Sequence, residues 1–144
     1  MPTDDRLIYL VFTAQQKLRT YLNGCLVAEG VKVTIAQAGI LFLLRQQDGR
    51  TMTELSQIMG LDNSTMTGMI DRMEKSSLVT RNSNPSDRRL SHIYITSRGQ
   101  DEAARAKVVI RRVNEEVKKG FSSGDIETFK DVLRSFFTKF NNSK

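Results

Sequence analysis

The chain has one cysteine and one histidine among 144 residues. A lone Cys25 excludes a disulfide framework within the chain and fits a reducing cytoplasm. His92 and Cys25 are each alone of their kind, and the acidic residues are scattered, so no metal-ligand spacing exists. His92 has no partner motif for catalysis and reads as a partly solvated strand residue. The nine glycines form no phosphate-binding loop. No apolar run approaches the ~20 residues that span a bilayer; Ile40 to Leu44 is only a core segment. The N-terminal Met-Pro-Thr-Asp-Asp-Arg carries no signal-peptide pattern. These absences exclude an enzyme, a cofactor protein and a membrane protein, and leave a cytoplasmic binding domain.

What is present is a basic, globular composition. Lys and Arg number 22 against 16 Asp and Glu, a net charge of +6, with 39% apolar and 26% charged residues. The length predicts one domain over residues 1–144 with enough chain to bury a core. The positive balance favours a polyanionic partner or an anionic surface without naming it.

The informative stretch is Thr51 to Thr96. Leu55, Ile58 and Met59 recur at helical spacing and predict a short helix from about Thr53 to Met59. Gly60 follows where a left-handed cap suits glycine, and Asp62 or Asn63 caps the next helix. That helix, about Ser64 to Ser76, buries a stripe of Met66, Met69, Ile70 and Met73. Its other face carries Ser64, Thr65, Thr67, Gly68, Asp71, Arg72 and Lys75. Short hydroxyls beside Arg and Lys suit close approach in a major groove. A solvated helix face would look the same, so the sequence that follows decides. Leu78 to Arg81 predicts one strand, Asn82 to Asp87 a turn, and Ser91 to Thr96 the returning strand. Arg88 and Arg89 stand beside the hairpin tip. Arginines so placed, directly after a helix-turn-helix, make a wing for the adjacent minor groove. Thr51-Met52 supplies a small third strand.

These residues carry a resemblance. Asn84-Pro-Ser-Asp-Arg-Arg-Leu90 followed by Ile95-Thr96 resembles the wing pattern of the MarR (multiple antibiotic resistance regulator) family: Asp-x-Arg, five residues, then Leu-Thr. Asp87 and Arg89 occupy the fixed positions, and Ile95 replaces the usual Leu. The order of elements matches over essentially the whole chain. The resemblance implies a mainly α fold with a small β-hairpin wing, a winged helix-turn-helix over about residues 34–96. Dimerisation helices flank it over about 4–30 and 97–142. It further implies a sequence-specific DNA-binding regulator, most often a repressor, acting as a homodimer on an inverted repeat in double-stranded DNA. Ser64, Thr65, Thr67, Gly68 and Arg72 would face the major groove and Lys75 the phosphates. Asp87 would orient a wing arginine by a charge-assisted bond; one of Arg88 and Arg89 enters the groove and the other ties back.

The flanking helices fit this layout. From about Asp4 to Glu29, Leu7, Val11, Ala14, Leu18, Tyr21 and Cys25 form the expected buried stripe, widened by Ile8, Leu22 and Leu26. Leu10 and Phe12 fall outside it and suggest a subunit interface. Thr34 caps a buried helix to about Gln47. Ser97 caps a long fifth helix to about Lys119, with Ala103, Ala106, Ile110, Val113 and Val117 inside. A last helix from Ser122 or Ser123 carries Ile126, Phe129, Phe136, Phe137 and Phe140, a packing surface for a second copy. Relatives bind small aromatic acids in a crevice beside the winged helix, and by position Tyr9, Phe12, Leu41 and Arg45 would line it. Some relatives sense peroxides through a cysteine. Cys25 sits near a helix C-terminus on the apolar stripe, which disfavours a thiolate. A thiol sensor and a winged helix that binds protein rather than DNA are the alternative readings.

Overall fold

The computed structural model describes residues 6–83, 85–87 and 90–141. In chain order they form α1 (Leu7–Ala28), α2 (Ile35–Gln46), β1 (Arg50–Thr51), α3 (Met52–Met59), α4 (Asn63–Lys75), β2 (Val79–Asn82), β3 (His92–Ile95), α5 (Ser97–Lys118) and α6 (Ser123–Lys139). The three strands pair antiparallel in the order β1-β3-β2. Arg50 stands opposite Ile93, and Val79 opposite Ile95. The chain divides into two compact units, Met1–Ile110 and Arg111–Lys144. No described helix is long and apolar enough to cross a membrane.

The core of the first unit centres on α2. Thr34 opens this helix with a reciprocal cap: its hydroxyl accepts from the Gln37 N–H, and the Gln37 side chain accepts from the Thr34 N–H. Ala38, Ile40, Leu41 and Leu44 are fully buried, together with Leu55 of α3, Met66, Ile70 and Met73 of α4, and Ile93 of β3. In α4 this burial decides the local structure. Thr65, Thr67 and Gly68 each disfavour a helix by ~0.5–1 kcal/mol. Each buried Met or Ile contributes ~1.5–3 kcal/mol by leaving water, so the apolar stripe wins. In α3 the buried residues are Met52, Leu55 and Ser56, whereas Ile58, expected inside, stands exposed.

The turns and caps obey the expected chemistry with two exceptions. Gly60 ends α3 at φ +67°. After α4, Ser77 adopts φ +62°, where glycine is favoured. The Leu78 N–H donates to the Met73 carbonyl and the Ser77 N–H to that of Glu74, closing the helix end. Thr96, not the expected Ser97, caps α5: its Oγ1 accepts from the Gly99 N–H at 3.0 Å, and its one hydroxyl proton is shared between the Ser77 carbonyl at 2.6 Å and the Leu78 carbonyl at 3.0 Å. Thr96 stands between the end of β3 at Ile95 and the start of α5 at Ser97, so the capping hydroxyl falls one residue earlier than expected. A Cβ on Gly99 would lie 2.3 Å from the Leu78 carbonyl oxygen, so only glycine admits this contact between the start of α5 and the residue that leads into β2.

The stripe expected on α1 is not its buried side. Leu22 and Leu26 are buried and Cys25 half-buried, whereas Leu7, Val11, Ala14, Leu18 and Tyr21 are exposed. Only the last turns lie against α2, where the Asn23 side chain accepts from the Ile35 N–H at 2.8 Å. In the second unit, Ser122 and Asp125 form a reciprocal cap for α6. No residue of α6 is buried; Phe137 is 77% exposed and Phe140 meets Phe136 edge to face at 5.7 Å.

Candidate nucleic-acid interface

The α4 helix presents two chemically distinct sides. Met66, Met69, Ile70 and Met73 point into the core. Ser64, Thr65, Arg72 and Lys75 are exposed, and Thr67 and Gly68 half-buried, so the structure brings these six expected site residues to the surface of one helix. Arg72 and Lys75 lie in the last turn, where cations meet the negative end of the helix dipole.

Asp62 organises the start of this face. Its carboxylate accepts from the Thr65 N–H at 2.7 Å and from the Ser64 hydroxyl at 2.9 Å. The Thr65 N–H bond, then the Thr65 and Ser64 side chains, hold the Asp62 carboxyl below its ordinary range. Ser64 is therefore pre-oriented, with its proton engaged by Asp62 and its lone pairs outward. Further along, a Cβ on Gly68 would lie 3.5 Å from Arg72 Nη1. The guanidinium thus folds back along the helix over the position that has no side chain.

The hairpin β2–β3 lies beside α4. Asp87, in its loop, is half-buried, and its carbonyl accepts from the Leu90 N–H at 3.1 Å. Arg88 and Arg89 lie outside the described residues. His92 is an exposed strand residue whose Nδ1 is 2.8 Å from the Gly49 carbonyl, so Nδ1 carries the proton and donates.

One site residue escaped the sequence reading. Arg81 of β2 sends its guanidinium to the Asp71 carboxylate of α4 and stands 3.7 Å from that of Glu74. Its side chain is only 6% exposed. The signal was present: strand alternation puts Arg81 on the same face as buried Val79, an inward position where an arginine needs a partner.

Of the expected crevice residues, Tyr9 and Phe12 share a surface cleft of about 660 Å³ on α1 with Arg6, Ile8, Gln16 and Lys17. Leu41 and Arg45 do not join them: Leu41 is fully buried in the core, where it packs rather than lines a cleft, and Arg45 is exposed on the last turn of α2. Among the described residues, no cluster of three or more His, Cys, Asp or Glu could hold a metal.

Comparison with known proteins matches the MarR family pattern to residues 33–91. The chain is similar to the transcriptional repressor CouR bound to a 23-mer DNA duplex, at 26% identity and a TM-score of 0.80, with 92% of each chain covered. It is similar to a mutant MarR from Escherichia coli complexed with operator DNA, at 25% identity and a TM-score of 0.79, over 90% of this chain and 91% of that one. The HTH-type transcriptional regulator BilQ of Clostridioides difficile (strain CD3) is 21% identical over 131 residues, 91% of this chain and 85% of BilQ.

Proposed function

The chain belongs to the MarR family of transcriptional regulators, and from that premise we propose that it binds an inverted-repeat DNA operator as a homodimer and represses the genes it controls. The observation that carries this reading is the two-sided α4 helix, whose core side is fixed by methionines while hydroxyls, a bare glycine and two cations face outward. Ser64, Thr65, Thr67, Gly68 and Arg72 then meet base edges in the major groove, and Lys75 meets phosphate. Asp87 orients one wing arginine, and Arg88 and Arg89 serve the minor groove and its rim. Repression is supported by the similarity to CouR, a transcriptional repressor.

A second copy accounts for two apolar surfaces that a single chain leaves in water. Leu7 of α1 and Phe137 of α6 are each more than three-quarters exposed. Two-fold symmetry would set the recognition helices one DNA turn apart, ~34–36 Å, or a multiple of it.

The wing gives the sharpest test. Replacing both Arg88→Ala and Arg89→Ala should weaken operator binding and flatten its salt dependence, by ~0.9 in log–log slope per phosphate contact removed. Unchanged affinity and slope would take the wing out of the mechanism.

Release of DNA by a small aromatic acid completes the proposal. The α1 cleft pairs two aromatic rings, Tyr9 and Phe12, with the cations Arg6 and Lys17, a combination that suits an aromatic carboxylate. Such a ligand would shift the population between DNA-competent and incompetent forms. Benzoate should raise the melting temperature of the wild type and leave that of Tyr9→Ala unmoved. Equal shifts in both would remove this cleft as the effector site.

A further inference from the structure

We propose that Arg81 is the joint that sets the recognition helix α4 against the wing, and so a positioning residue for DNA binding; this rests on the DNA-binding reading above. Arg81 belongs to β2, the first strand of the wing, and pairs with Ile93 of β3. Its guanidinium crosses to α4, where it bonds Asp71 and also approaches Glu74. The two carboxylates are three residues apart on the helix. One anchor would fix only a distance. Two carboxylates three residues apart, both drawn to the same Nη2 of Arg81, Asp71 by a hydrogen bond and Glu74 at 3.7 Å, also limit the rotation of α4 about its own axis.

Stability alone does not explain an arginine here. Its side chain is 6% exposed, on the face that buries Val79. An apolar residue in such a place commonly stabilises a fold as well as an ion pair does, because desolvation offsets the Coulomb gain. What the ion pair adds is a defined geometry between two elements. In the proposed complex both elements touch DNA at once, α4 in one groove and the wing in the next, so their spacing enters the affinity directly.

Asp71 and Glu74 make this separable from simple electrostatics. Each carboxylate is 46% exposed on the helix that would approach phosphates. If charge alone mattered, Asp71→Asn would remove a repulsion and tighten DNA binding. A joint makes the opposite prediction.

The experiment compares wild type, Asp71→Asn, Arg81→Met and the double variant. Each is titrated with a duplex from the DNA upstream of its own coding sequence and with a random duplex of equal length. The temperature is kept well below every melting midpoint, so folded fraction does not enter. Each single variant should lose about tenfold or more in affinity for the upstream duplex and change little on random DNA. The double variant should lose no more than the weaker-binding single, since both act on one pair. Asp71→Asn binding as well as or better than wild type, or losses that add in the double, would overturn the joint while the DNA reading stands. A wild type that binds both duplexes equally would overturn the DNA reading, and the joint's role falls with it.

Discussion

Gly68 is the position where the proposed DNA contact would be set against stability. It lies in the interior of α4, where glycine costs ~0.5–1 kcal/mol relative to alanine. Space does not require it: an added Cβ would meet only the mobile end of Arg72, at ordinary contact distance. The missing side chain is explained if this patch must come close to base edges and leave Arg72 room to turn. Gly68→Ala should therefore raise the melting temperature by about 2–4 °C while weakening operator binding roughly tenfold, ~1.4 kcal/mol. Thermal melts and a binding titration on the same sample check both signs; a variant that is more stable and binds equally well would end this role for Gly68. Gly99 is the contrasting case, a helical glycine that the Leu78 carbonyl makes obligatory. Local pattern cannot tell these two apart, because the difference lies in what a distant segment brings near. For Arg81, strand alternation marks an inward position, but the carboxylates that hold it sit on the preceding helix, beyond the reach of local pattern.

At the scale of elements, legibility followed burial within one chain. The α4 stripe of Met66, Met69, Ile70 and Met73 was read correctly because each apolar residue has a partner in the same unit. The α1 stripe was misassigned because most of its apolar residues have their surfaces in water here; periodicity reports an apolar face and says nothing of who covers it. The cap of α4 was legible as Asp62 or Asn63, and Asp62 fills it. This cap has a pH signature. The Asp62 carboxyl is held below its ordinary value of 3.8, first by the Thr65 N–H. A group with a depressed folded pKa contributes its full stability above the unfolded value and loses it as pH falls through the folded one. Asp62→Ala should thus melt below the wild type near pH 7, with the gap closing as the pH drops below 3.8. Melting curves across that range check it; a gap that persists unchanged into strong acid would assign the stabilisation to something other than the charged cap.

At the scale of the molecule, the basic balance of +6, the outward face of α4 and the exposed apolar surfaces of α1 and α6 all fit the proposed two-fold assembly on DNA. The resemblance in the wing motif carried this reading from sequence, although its two arginines lie outside the described residues. Charge alone would bind any polyanion, with a steep salt dependence and no preference for sequence. A regulator must add discrimination to that background, commonly 10³-fold or more. The direct measurement is a titration of the purified protein against a duplex of its own upstream DNA and against random DNA, at several salt concentrations, with the stoichiometry determined. The account predicts two chains per duplex, a strong preference for the upstream fragment near physiological salt, and protection of two half-sites about one helical turn apart. Equal, weak binding to both duplexes would contradict it and leave a basic surface whose partner is a protein.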